Sequence, residues 1–233
     1  MQAGRRTFLK LVGSVALALS GVGLLGRRRA LAVAGTIATR AVQPGDAAAL
    51  QAIMSSCVAD GDAFFGQCGE WPMSWAEEFT QLRPHSPVIT WNGSAVAFFE
   101  VPPIRPELSL AADASAAEVA QHALREARRT TFRVRAAGVR FDQFAGDDAV
   151  LLFRSALLQG FRAARDLGYT YVEAWSPWRQ HPLLPRPFTD YPGCELTEPV
   201  AHEQGGDGAI YCLRWQLDDA IAALAAEEHY DVA

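Results

Sequence analysis

Four cysteines, five histidines and a glycine-rich run are the residues of this 233-residue chain whose types could carry redox, metal or phosphate chemistry. Their spacing assigns none of it. Cys57, Cys68, Cys194 and Cys212 form no Cys-x-x-Cys, the spacing that zinc and iron–sulfur sites favour. Cys57 with Cys68 is the better-placed disulfide, although four cysteines allow three pairings. Cys212, in an apolar strand-like run, reads as a buried thiol. His85, His122, His181 and His202 make no His-x-x-x-His or His-Glu-x-x-His, so each reads as a lone loop or surface residue. Gly205-Gly206-Asp207-Gly208 lies between two strand-like runs, where a hairpin turn accounts for it without a phosphate.

Arg5-Arg6-Thr7-Phe8-Leu9-Lys10, the apolar run from Leu11 to Leu25 and the small-residue site Ala30-Leu31-Ala32 resemble a twin-arginine export signal. The resemblance implies a protein that folds in the cytoplasm, crosses on the twin-arginine translocase, and works in the periplasm or another extracytoplasmic space. Because that route carries folded, cofactor-loaded proteins, it also suggests a metal or redox protein as a further alternative. Leu11 to Leu25 is shorter than the roughly 20 apolar residues that span a bilayer, and Gly13, Gly21 and Gly23 weaken a spanning helix. Arg27-Arg28-Arg29, just ahead of the cleavage site, offers a second outcome, an uncleaved N-terminus anchored against anionic headgroups. Without residues 1–32 the chain keeps 15 basic and 26 acidic residues, a formal charge of −11. That surface argues against nucleic acid as a partner, which needs clustered Lys and Arg. The roughly 200 residues left suit one domain over 36–226, with a tail fraying from Glu227.

The elements follow from periodicity and punctuation. Ile37 to Val42 reads as a strand, and Asp46 as the cap of a helix from Ala47 to Cys57. Trp75 to Leu82 reads as a second helix. Asn92-Gly93 between two apolar runs predicts an antiparallel hairpin of Val88–Trp91 with Ala95–Val101. Ser115 and Glu118 open an alanine-rich helix to Arg129 that covers a sheet edge. Thr131 to Phe141 alternates as one central strand, with Gly138 as the place for a bulge. Asp147 or Asp148 caps a long helix that buries Val150, Phe153, Leu157, Phe161 and Ala164 and ends at Gly168. The strand from Tyr169 to Trp175 is then parallel to the one at Thr131. A proline-rich loop over 177–192 precedes the last strands, Cys194–Leu196 and Ala209–Leu217, and Asp218 caps a final helix.

This order resembles the GNAT acyltransferase fold, an α/β (α+β) domain whose mixed, mostly antiparallel central sheet is flanked by helices. Thr39-Arg40-Ala41-Val42 with Pro44-Gly45-Asp46-Ala47 is similar to the family's opening. Ala163-Ala164-Arg165 leading into Leu167-Gly168-Tyr169 is similar to the helix and strand after its cofactor loop. The likeness covers most of residues 36–217. It implies N-acyl transfer to an amine from an acyl-CoA-like donor, with the pyrophosphate cradled by Gln143, Phe144, Ala145, Gly146 and Asp147. Gln143 and Gly146 match the family's Gln/Arg-x-x-Gly-x-Gly/Ala pattern, and Asp148 departs from it where a second small residue is usual. Asp142, Glu173 and Tyr191 are the acid–base candidates that the resemblance implies.

Trp71 and Trp178 fall beside prolines in loops rather than on periodic faces, which suits ligand walls or a protein partner docking through Trp-rich loops. The alternative to an enzyme is therefore a catalytically silent GNAT-fold accessory or structural subunit of a cell-envelope complex.

Overall fold

Asn92 and Gly93 both have positive φ, 51° and 82°, the requirement of a two-residue hairpin turn whose twist matches its strands. They fold β2 (Pro87–Trp91) onto β3 (Ser94–Phe99), with Val88 opposite Phe98. The computed structural model describes residues 36–60, 72–107, 109–134, 136–176, 194–196, 200–201, 209–227 and 229–230. Ahead of the hairpin stand β1 (Ile37–Ala41), a short 3-10 turn (Pro44–Asp46), α1 (Ala47–Asp60) and α2 (Met73–Leu82). After it come α3 (Ala116–Arg129), β4 (Thr131–Arg133), β5 (Ala137–Val139), α4 (Asp147–Asp166), β6 (Tyr171–Ser176), β7 (Cys194–Leu196), β8 (Val200–Ala201), β9 (Ala209–Gln216) and α5 (Leu217–Ala225).

The strands form two sheets, β1-β2-β3-β5 and β4-β6-β9-β7, with β8 also on β9. Among the described residues every pairing is antiparallel except β4 with β6, where Thr131 faces Tyr171 in the parallel register that a strand–helix–strand crossover imposes. The single central strand expected from Thr131 to Phe141 is two strands, because the backbone changes partner midway. Val134 N–H donates to Glu173 O on β6 (2.8 Å), whereas Ala136 O accepts from Glu100 N–H, just past β3 (2.9 Å). Gly138 is not the bulge. It lies within β5, where a Cβ would come within 2.8 Å of Cys57 Sγ and 2.9 Å of Ile53 Cγ2, so its missing side chain lets α1 approach the sheet.

Helices cover both faces of the first sheet. α1 and α2 bury Leu50, Ile53, Met54 and Phe79 against Val88 and Phe98 on one face. α4 packs Leu152, Phe153, Leu157 and Phe161 against Ile89, Phe99 and Val139 on the other. Phe161 joins the two sheets, its ring 5.6 Å edge-on from Phe99 and 5.6 Å from Trp215 on β9. α3 is capped as expected, with Ser115 and Glu118 exchanging hydrogen bonds, and lies beside the edge strand β4 with none of its residues buried.

Three expected caps sit elsewhere. Gly146 is the N-cap of α4, and Asp147 and Asp148 occupy its first turn. Gln216 caps α5 by accepting from Asp219 N–H, leaving Asp218 exposed in the first turn. Asp46 is buried in the 3-10 turn and accepts from Gln43 N–H (2.8 Å) and from both terminal nitrogens of Arg40 (2.6 Å each). Nor does the tail fray at once. His229 and Tyr230 are buried, and Tyr230 N–H donates to Ser155 Oγ on α4 (2.9 Å). The cysteines differ too. Cys57 Sγ–H donates to Val139 O (3.4 Å) in the core, its expected partner Cys68 lies outside the described residues, and Cys212 is half-buried.

Candidate functional site

The change of partner after Val134 opens the sheet. Up to Glu173, β4 and β6 run bonded side by side. Beyond that rung β5 belongs to β3, and among the described residues the second half of β6 continues against β9 alone. Two strands that start together therefore part, and the wedge between them opens toward the loop after β5 and the start of α4. Such a point, outside the carboxyl ends of diverging parallel strands, is where open α/β sheets bind ligands.

The loop is held by its own sequence. Arg140 O accepts from Gln143 N–H (3.0 Å) and Phe144 N–H (2.9 Å), making a tight turn. The Phe144 ring is buried, edge-on to Trp91 at 5.5 Å, so this residue anchors the loop by its side chain and can offer a ligand only its backbone. Gln143, Ala145, Gly146 and Asp147 are exposed. Gly146 has φ +59° and ψ −131°, a conformation open essentially to glycine alone, and nothing lies within 4 Å of where a Cβ would stand. N–H groups at the start of a helix have no carbonyl behind them and carry the positive end of the helix dipole.

Asp147 and Asp148 bring negative charge to the same turn. Asp148 is half-buried and accepts from the Tyr230 hydroxyl (2.5 Å), which turns its carboxylate toward the C-terminal segment. Asp147, exposed in the same turn, carries a second negative charge that a bound phosphate would meet. The loop thus fits a diphosphate through its backbone, at Ala145, Gly146 and the first turn of α4, with Asp147 set against it.

Of the acid–base candidates, Asp142 lies in the turn after β5, exposed and chelated by Arg140 through Nε (2.7 Å) and one terminal nitrogen (2.6 Å). Those hydrogen bonds, with the charge of Arg140, hold its carboxyl below the usual range despite some desolvation. That is the wrong direction for a base that must take a proton near neutral pH. Glu173 is better placed. It stands at the rung where the strands part, half-buried, with Arg133 across the parallel pairing at 3.7 Å and Arg214 opposite on β9. Tyr191 lies outside the described residues, as do Trp71, Trp178, His181 and His202.

The second sheet has two unlike faces. Phe132, Val172, Ala174, Leu213 and Trp215 are buried on one, and Cys194 packs beside them, its thiol pushed up to about 12 by burial and by the charge of Glu195. Arg133, Tyr171, Glu173, Glu195 and Arg214 share the other. Arg214 was not among the expected site residues, although Cys212-Leu213-Arg214-Trp215-Gln216 alternates and places it opposite the core.

No family model matches the chain, and no curated protein matches it. Solved structures share its fold. The ribosomal-protein-alanine N-acetyltransferase from Brucella melitensis has a TM-score of 0.52 at 14% identity, over 76% of this chain and 98% of that one. An N-acetyltransferase from Staphylococcus aureus gives 0.52 at 12% identity, over 78% and 99%. The yncA protein of Salmonella typhimurium, solved with its cofactor acetyl-CoA, gives 0.51 at 16% identity, over 78% and 94%. The fold is the GNAT-like α/β fold that the order of elements implied.

Proposed function

We propose that this chain is a GNAT-fold N-acyltransferase that moves an acyl group from an acyl-CoA-like donor to an amine. The observation that carries the reading is the conjunction, along one wedge, of parting strands, a glycine at positive φ and the start of a 20-residue helix. Backbone N–H groups of Ala145, Gly146 and the first turn of α4 would hold the donor's diphosphate, and the thioester supplies an activated acyl group. Glu173 takes the proton from the amine nitrogen so that its lone pair is free to attack. Asp142, already ion-paired, is the weaker base, and Tyr191 stays the acid that the family resemblance suggests. The residues from Arg5 to Ala32 support export on the twin-arginine route.

One observation favours a second reading. Asp147 and Asp148 stand in the turn that should meet a diphosphate, which suits a catalytically silent accessory subunit of an envelope assembly. Calorimetric titration of the full-length protein with acetyl-CoA and with coenzyme A, followed by thiol release over a panel of amines, separates the two. Stoichiometric binding with amine-dependent thiol release supports the enzyme. Absence of both overturns it and leaves the silent subunit.

A further inference from the structure

We propose that Arg214 is a carboxylate-binding residue on the polar face of the second sheet, and that the amine acylated here is a small amino acid. The substrate class rests on the acyl-transfer reading; the carboxylate site does not. Arg214 lies on β9 between Glu173 on β6 and Glu195 on β7, in direct register with both. Its guanidinium nevertheless lies over the Tyr171 ring, the central carbon 4.1 Å from the centroid. Among the described residues it makes no ion pair within 4.0 Å with either carboxylate, and its buried Nε–H has no acceptor. A planar cation held by a ring and by its own strand, with its terminal nitrogens in no ion pair among the described residues, is preorganised for a ligand carboxylate, which guanidinium takes in a two-point fork.

The neighbour of Arg214 supplies the complement. Glu173 is only 3.7 Å from Arg133, beyond hydrogen-bond length, so its oxygens retain acceptor capacity. Directly opposed residues of an antiparallel pair have Cα atoms about 5 Å apart and side chains on one face. An ammonium on Glu173 and a carboxylate on Arg214 must then belong to one short molecule, in which a carbon or two separates the groups. That is the span of an α- or β-amino acid and not of a long polyamine. The rung is also the one at which β4 and β6 part, so the amine is presented at the apex of the wedge.

The probes are N-acetylglycine and N-acetylglycinamide, alike except for the carboxylate, titrated by ligand-observed NMR against the full-length protein and the R214M variant. N-Acetylglycine is expected to bind the wild type at least about tenfold tighter than the amide, and to lose that advantage in R214M, as one charge-assisted pair requires. Equal binding of the two probes to the wild type overturns the proposal. So does an R214M variant that keeps the preference. Should R214M fail to fold, the wild-type comparison decides alone. No acyl donor is present, so a chain that discriminates the probes yet ignores acetyl-CoA fails the acyl-transfer reading while the carboxylate site stands.

Discussion

The hydroxyl of Tyr230 donates to Asp148 Oδ1 at 2.5 Å and ties the C-terminal segment to the first turn of α4. The tie has a second strand, since Tyr230 N–H donates to Ser155 Oγ, itself donating to Leu151 O (2.7 Å). Tyr230→Phe removes one hydrogen bond to a carboxylate and is expected to cost about 1.5–3 kcal/mol. A cycle of Y230F, D148A and the double variant, read by urea denaturation, checks it. Strictly additive single costs would show that the pair is not coupled.

Gly146 carries a sharper expectation. Its φ of +59° with ψ of −131° is costly for any residue with a Cβ, although the space around it is open. Gly146→Ala should therefore destabilise by about 1–3 kcal/mol through backbone strain alone, without a steric clash. On the acyl-transfer reading it should also weaken acetyl-CoA binding, whereas Asp147→Asn, which removes the exposed opposing charge, should strengthen it. Calorimetry on the two variants reads both signs, and an Asp147→Asn variant that binds more weakly would refute the role given to this turn.

Gly160 is a glycine that packing requires. It lies mid-helix, where Ala is normally the better residue by about 1 kcal/mol. A Cβ there would sit 2.1 Å from Phe99 Cδ1 and 2.4 Å from Cγ, in a ring that is fully buried and edge-on to Phe161. Gly160→Ala is expected to reverse the usual sign and destabilise by about 1–3 kcal/mol, measured as a lower Tm. An unchanged or raised Tm would mean that the Phe99 ring is free to move.

Burial would raise the Asp46 carboxyl, but the paired hydrogen bonds from Arg40, the Gln43 N–H and the Arg40 charge outweigh it and leave the group below its ordinary value. The unfolded chain therefore holds this proton more tightly than the folded one. The stabilisation is complete above the unfolded pKa, about 3.9, and is lost as pH falls through the lower folded value. Asp46→Asn should flatten the acid limb of the stability curve, seen by comparing urea midpoints at neutral and acid pH. A limb as steep as in the wild type would place the titration elsewhere.

What the residues announced in advance, and what they hid, follows the range of the interactions. The Asn92-Gly93 hairpin and the Ser115–Glu118 capping box were legible because each is settled within four residues. So was the parallel crossover of Thr131 and Tyr171, which handedness imposes. The split of the central strand was not, because the rivals for its backbone, Glu173 on β6 and Glu100 beyond β3, are far off in sequence. Arg214 was legible as outward-facing, but its stacking on Tyr171 needed the register of β6 against β9. Asp142 looked equal to Glu173 as a base until Arg140, two residues away, proved to hold it by both oxygens.

That inequality yields the test of the chemistry. Glu173 sits where the strands part and keeps acceptor capacity, whereas the Asp142 carboxylate is engaged by Arg140. If Glu173 takes the amine's proton, Glu173→Gln should lower kcat about 10²- to 10⁴-fold, the usual contribution of a positioned base. Acetyl-CoA affinity should stay as it was, because the residue lies away from the loop at Gly146. Rate should recover in part as pH rises and more of the amine arrives already deprotonated. Asp142→Asn should leave kcat within a few-fold and cost mainly the tightness of the turn after β5. Steady-state rates over a pH series, with Tm values showing that both variants are folded, discriminate the two carboxylates. A large loss in Asp142→Asn beside a near-normal Glu173→Gln would reverse the assignment.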